Sequence, residues 1–178
     1  MTRAGPVVFI MTKAIIVNGE GGVGKSTFVK ACIDYLTRTG KYGVEASSVD
    51  EVKKAAYLLG WDGEKDQKGR QFLHDLKMLS TKAYDGPMVY MKQRLHNSGA
   101  DFIFFHVREP LEIRKFVDTV PGTFTVKIIR KAVEGQFINP ADGGVHDYDY
   151  DMIIVNDNTL ETLRTGAKDF MIFMNAAQ

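Results

Sequence analysis

The chain reads as an α/β fold, a five-stranded and mostly parallel sheet with helices on both faces. Three observations predict it. Short apolar runs rich in β-branched and aromatic residues alternate with stretches of helical periodicity. The first such run passes through a glycine-rich loop directly into an amphipathic stretch. No internal repeat or low-complexity tract offers another architecture.

The elements follow in order. Residues 14–17 form a β-branched run ending at the glycine loop, and from Phe28 the apolar residues recur at Ala31, Cys32, Tyr35 and Leu36, one face of a helix. Gly40 closes that helix, because glycine tolerates the left-handed conformation common just past a helix end. A second strand is expected over residues 42–46. Ser48 and Glu51 then have capping-box spacing, and Val52, Ala55, Ala56 and Leu59 give a second helix over about 49–59. Phe72, Leu73, Leu76 and Leu79 mark a third helix, and Pro87 opens a fourth running towards His96. Residues 101–107 read as a buried central strand, followed by a helix opened by Pro110 and carrying Leu111, Phe116, Val117 and Val120. Residues 124–129 are the next strand. The last strand is 152–155, after which Asn158 and Glu161 can cap a helix bearing Leu160, Leu163, Ala167, Phe170, Met171 and Met174.

Between the last two strands, residues 131–147 lack periodicity and contain Gly135, Pro140, Gly143 and Gly144. Connections of that length in a compact domain are often lids or binding loops. Residues 1–12 form a possible N-terminal extension, since the opening Met1-Thr2-Arg3-Ala4 is echoed by Met11-Thr12-Lys13-Ala14. The domain proper is expected over 13–178, with a helical insertion at about 47–98.

Composition bounds the function. The 178 residues, 44% hydrophobic and 25% charged, suit one globular domain. A net charge of +1 gives no broad field for nucleic acid or an anionic membrane, so any phosphate site must be local. The longest apolar run, 6–11, is far below the roughly 20 residues of a membrane span. Cys32 has no disulfide partner and reads as a core residue. A cytoplasmic protein, monomeric or homodimeric, is expected.

The chemistry is carried by Gly19-Glu20-Gly21-Gly22-Val23-Gly24-Lys25-Ser26, which fits G-x-x-x-x-G-K-[ST] between a strand and an amphipathic helix. Glycines let the backbone wrap phosphate oxygens with its N–H groups inward, and the helix N-terminus adds positive potential. Lys25 would neutralise the β- and γ-phosphates of ATP, Ser26 would ligate Mg²⁺, and Thr27 can help to cap or orient. Ligands of open α/β sheets lie beyond the carboxyl ends of the strands. The polar residues there are Asp50, His106, Arg108, Glu109, Arg130, Lys131, Asn156 and Asp157. Arg108 can clamp phosphates bidentately, and Arg130 or Lys131 can meet a transferring phosphoryl group. Asp50 is either an acceptor-binding or Mg²⁺-approaching carboxylate or an acid favoured by the dipole of its helix. His106 stands where many P-loop enzymes carry a metal-binding aspartate, so Glu109 or Asp50 would supply that carboxylate. Lys65 and Arg70, in a charge run after the second strand, are candidates for an acceptor phosphate. His74, His96 and His146 are dispersed and read as surface or packed histidines.

From about Lys13 to Met174 the chain resembles the P-loop nucleoside monophosphate kinase group, especially bacterial and phage deoxynucleoside monophosphate kinase-like proteins. Besides the loop, the resemblance rests on Tyr148-Asp149-Tyr150-Asp151 leading through the strand to Asn156-Asp157-Asn158, on Ser47-Ser48-Val49-Asp50, on Trp61-Asp62-Gly63 and on Val107-Arg108-Glu109-Pro110. It implies a three-layer P-loop NTPase fold. It also implies transfer of the ATP γ-phosphoryl to a small-molecule nucleotide acceptor, an acceptor-binding helical region, and Asn156 and Asp157 beside the base. Two features depart from the group: His106 replaces the acidic strand end, and residues 131–147 lack the arginines of typical lids. Kinases of other small phosphorylated acceptors, and a nucleotide-binding regulator that transfers nothing, are the competing readings. Partitioning ATPases have a signature lysine where Glu20 stands, and the Asn-Lys-x-Asp motif of switch GTPases is absent from the sequence.

Overall fold

The structure is a computed structural model, and it describes residues 12–133 and 144–176. The strands are β1 (Lys13–Asn18), β2 (Gly43–Ser47), β3 (Phe102–His106), β4 (Phe124–Ile129) and β5 (Met152–Val155). The helices are α1 (Lys25–Arg38), α2 (Asp50–Leu58), α3 (Gln67–Tyr84), α4 (Gly86–Asn97), α5 (Pro110–Thr119) and α6 (Leu160–Ala176). All four strand pairings are parallel, in the order β2-β3-β1-β4-β5.

The side-chain alternation of the central strands supplies two cores. On one face Ile15, Val17, Phe102, Phe104, Val126 and Ile128 pack with Phe28, Val29, Cys32 and Leu36 of α1 and with Leu163, Ala167, Phe170, Met171 and Met174 of α6. On the other, Ala14, Ile16, Ala46, Ile103 and Phe105 pack with Met88 and Met91 of α4 and Ile113 and Phe116 of α5. Phe102, Phe104 and Phe105 are fully buried, each worth about 2–3 kcal/mol of transfer free energy. Cys32 lies in the first core as expected, and burial pushes its thiol well above the ordinary range.

This topology locates the crevice. The chain crosses from β1 through α1 to β2 on one face, and from β3 through α5 to β4 on the other. Because β1 and β3 are neighbours, the connections leaving their carboxyl ends diverge. That is a topological switch point, where ligands of open α/β sheets bind. Helices α2, α3 and α4 fill the stretch between β2 and β3, the helical insertion expected at about 47–98.

Several local expectations are corrected. The Ser48–Glu51 capping box does not form: Ser48 is buried, the cap position of α2 is Val49, and Asp50 Oδ2 instead accepts from the Ser47 N–H at 2.7 Å. Helix α6 is capped by Thr159, whose hydroxyl accepts from the Thr162 N–H at 3.2 Å, and not by Asn158. Helix α3 begins earlier than its apolar stripe, at Gln67, because the Asp66 carboxylate caps the Gly69 N–H at 2.7 Å. Leu79, Leu111 and Leu160, read as core, are exposed, since none of the three turns towards the sheet. Gly40 does end α1, at φ 76°, with the Lys41 N–H returning to the Leu36 carbonyl at 2.9 Å. Of the connection at 131–147, residues 131–133 form a 3₁₀ turn and 144–146 a further turn. Its middle, and nearly all of the extension expected at 1–12, lie outside the described residues. Among the described residues no helix is long and apolar enough to cross a membrane.

Candidate functional site

The glycine loop leaves β1 and enters α1 at the switch point. Gly19, Gly22 and Gly24 have φ of 144°, 80° and 97°, conformations that favour glycine. A Cβ on Gly19 would run into the Ile128 carbonyl oxygen, and one on Gly24 would stand 2.6 Å from Asn156 Nδ2. Those two glycines therefore let the loop lie against β4 and the end of β5. Val23 is buried and anchors the loop in the α1-side core. No acidic residue occupies the first turn of α1, which leaves the positive end of its dipole uncompensated there. Lys25 Nζ donates to the Gly19 and Glu20 carbonyls, both at 2.6 Å, and so bridges the loop, while Ser26 and Thr27 are exposed at the head of the helix.

The turn after β5 meets this loop, as expected for Asn156. Its side-chain N–H donates to the Val23 carbonyl at 2.9 Å and its backbone N–H to Ile129 at 2.8 Å. Asp157 does not touch the loop in this way; its carboxylate accepts from the Lys131 N–H at 2.7 Å and fixes the start of the long connection. Arg130, at the end of β4, lines a small cavity with Glu20, Val23, Lys127, Val145 and His146, which brings it to the loop's flank.

The other candidates are placed as follows. Arg108, half-buried, leaves β3 beside the loop, and its carbonyl accepts from Asn18 Nδ2 at 3.1 Å. His106 Nε2 is 3.1 Å from the Glu45 carboxylate on β2. Asp50 divides its carboxylate between the Ser47 N–H and Lys53, 3.4 Å away. Glu109 is ion-paired with Lys77 of α3, which also reaches Glu112 at 3.0 Å. Lys65 and Arg70 lie exposed at the start of α3, with Arg70 Nε folded back on the Lys65 carbonyl at 2.6 Å. Arg130 and Asn156 thus lie against the glycine loop and the Arg108 backbone beside the residue that precedes it, whereas Lys65 and Arg70 contact each other.

A polar layer under the loop was missed by sequence reasoning. Asn18 is fully buried; its Oδ1 accepts from the Gly19 N–H at 2.7 Å, and its Nδ2 also donates to the Tyr150 hydroxyl at 2.6 Å. Tyr150 donates to the Val145 carbonyl at 3.1 Å, and burial pushes its hydroxyl up to about 12. Lys127, paired in register with Asn18, lies with its ammonium 5.8 Å from the Tyr150 ring and 2.8 Å from His146 Nδ1. His146 Nε2 is in turn 2.9 Å from Glu20 Oε1, so this histidine, at the surface as expected, has a partner on each ring nitrogen. The alternation of β4 was the available signal, because it puts a lysine on a face otherwise read as buried.

A strand, a glycine loop and a helix set at the switch point of a parallel sheet make the architecture plain. The fold is the three-layer P-loop NTPase fold. Among solved structures, the chain is similar to the protein APE1195, at 15% identity over 92% of this chain and 96% of that one, with a TM-score of 0.52. It is also similar to the Mycobacterium tuberculosis APS kinase in complex with AMPPNP and APS, at 13% identity, 90% and 98% coverage and a TM-score of 0.48. A sugar kinase from Janibacter sp. gives 14% identity, 90% and 94% coverage and a TM-score of 0.47. No family model and no curated protein sequence matches the chain.

The loop fits a nucleoside triphosphate. Gly19 and Gly24 cannot carry a Cβ without collision, and Lys25 holds its ammonium on two loop carbonyls. Among the described residues no group of three or more His, Cys, Asp or Glu could hold a metal ion. A Mg²⁺ here would accordingly depend on phosphate oxygens and water besides the Ser26 hydroxyl, which suits its preference for few protein ligands.

Proposed function

We propose that this protein is an ATP-dependent phosphotransferase that moves the γ-phosphoryl group to a nucleoside or deoxynucleoside monophosphate. The observation that carries the reading is the glycine loop: a full phosphate-binding sequence, seated at the switch point, with Arg130 and Asn156 against it and the Arg108 backbone beside Asn18. Phosphoryl transfer asks little covalent chemistry of a protein; positioning and charge neutralisation do most of the work. In this reading Lys25 exchanges its loop carbonyls for the β- and γ-phosphates, and the amides from Gly19 to Ser26 and Thr27 cradle them. Arg108 and Arg130 offset charge on the transferring group, and Asn156 and Asp157 border the base. Asp50, Lys65 and Arg70 are the acceptor-side candidates. Ser26 would hold Mg²⁺, which supplies charge neutralisation across the phosphates when bound.

One observation favours a second reading, a nucleotide-binding regulator without transfer. The β3 end presents His106 against Glu45, and the nearby Glu109 is paired with Lys77. A screen with ATP, Mg²⁺ and the common nucleoside and deoxynucleoside monophosphates separates the two. Acceptor-dependent ADP release supports the kinase, and ATP binding with no ADP release for any acceptor supports the regulator.

A further inference from the structure

A carboxylate inside an anion-binding loop works against its ligand, because like charges at close range repel strongly where water is scarce. Glu20 is such a carboxylate, the second residue of the loop, with its side chain only 14% exposed. It does not stand alone: its Oε1 lies 2.9 Å from His146 Nε2, and His146 Nδ1 lies 2.8 Å from the ammonium of Lys127. An ammonium has donors only, so Nδ1 must accept, and the remaining ring proton sits on Nε2 and donates to Glu20. The imidazole thus links a buried cation on β4, itself 8% exposed, to the loop's anion. Among the described residues, the Tyr150 ring lies beneath Lys127 and Arg130 lines the small cavity with Glu20 and His146.

Resting on the reading of the loop as a triphosphate site, we propose that His146 is a positioning residue for nucleotide binding. Its imidazole, seated on Lys127, holds the Glu20 carboxylate away from the phosphates and fixes the loop backbone at that residue. The role belongs to the side of the loop opposite α1, where no sequence motif points.

The proposal is tested by calorimetric ATP titration of the full chain and four variants, with circular dichroism as a fold check. His146→Ala is expected to weaken ATP binding about tenfold, the worth of a charge-assisted hydrogen bond. His146→Gln is expected to retain most of the affinity, because its amide N–H reaches the Nε2 position. Glu20→Gln serves as the reference in which the carboxylate is absent: adding His146→Ala to it is expected to change its ATP affinity by less than about threefold, since the carboxylate to be restrained is gone. Wild-type affinity in His146→Ala, or as large a loss when His146→Ala is added to Glu20→Gln, overturns the proposal. A ¹⁵N spectrum of the nucleotide-free protein reads the same contact independently: a proton on Nε2, with a resonance that moves in Glu20→Gln, supports it, and a proton on Nδ1 overturns it. If wild-type protein binds no ATP, the nucleotide-site reading and the positioning role fail together, while the imidazole spectrum still decides whether the Lys127–His146–Glu20 contact exists.

Discussion

At the last position of β1, Asn18 uses both ends of its amide in a fully buried setting. It accepts from Gly19 and donates to the Arg108 carbonyl and the Tyr150 hydroxyl, so three chain segments meet on one side chain. Asn18→Ala is expected to cost about 2–4 kcal/mol, because it strands a buried N–H and a buried carbonyl as well as opening a small void. Urea unfolding measures this; a loss under about 0.5 kcal/mol, the range of an inert surface change, would contradict the assignment. Lys25 and Ser26 stand out in the sequence because they belong to a local motif with fixed spacing, and Asn156 because it follows a strand end. Asn18, Tyr150 and His146 do not, because their partners are 132 and 126 residues away and only strand register brings them together.

A buried lysine between two glutamates links α3 to the start of α5. Lys77 lies on the inner face of α3, and Glu109 and Glu112 flank the start of α5. Burial drives Glu112 up, the Glu109 charge adds to it, and Lys77 only partly opposes; the carboxyl is pushed up to about 7 from 4.5. Burial works against ionised Glu109 too, yet the charge and hydrogen bond of Lys77 outweigh it and hold that carboxyl below its ordinary range. The signs therefore differ. Glu112 binds its proton more tightly folded than unfolded, so between about pH 4.5 and 7 the native state holds the extra proton, and stability falls as pH rises through that window. Glu109 contributes stability above its unfolded range, lost as pH falls. Glu112→Gln, a neutral isostere, is expected to stabilise the protein by about 1–2 kcal/mol at pH 8 and to change it little at pH 5. Urea unfolding at the two pH values checks this, and equal effects at both would contradict it. The apolar stripe of α3 foretold the helix but not this contact. Periodicity assigns burial to Leu79, which is exposed, and says nothing of a lysine whose burial is made tolerable by a neighbouring helix's acids.

Across the whole molecule, all five strands and both helical layers were legible from alternating patterns: the central β1, β3 and β4 are short runs buried on both faces, and the edge strands β2 and β5 stand out by their place between helical stretches. The strand order was not, since pattern alone does not say which buried strands are neighbours. Yet that order places the candidate site: with β1 between β3 and β4, the glycine loop opens where the crossovers diverge, the end of β4 brings Arg130 to its flank, and the end of β3 brings the Arg108 backbone beside Asn18. Nucleotide bound at this junction touches elements from both halves of the chain, so its binding energy should appear as global stability. A ligand at 100 times its dissociation constant stabilises the native state by about 2.7 kcal/mol. For a domain of this size that corresponds to a rise in Tm of about 5–10 °C. ATP with Mg²⁺ is therefore expected to raise the wild-type midpoint by that much under saturation. Lys25→Ala is expected to lose most of the shift at the same ATP concentration, because it removes a charge that faces ligand, while its ligand-free midpoint stays within about 3 °C of wild type. Thermal unfolding of both proteins with and without ATP decides the matter. An undiminished shift in folded Lys25→Ala would place the nucleotide somewhere other than this loop.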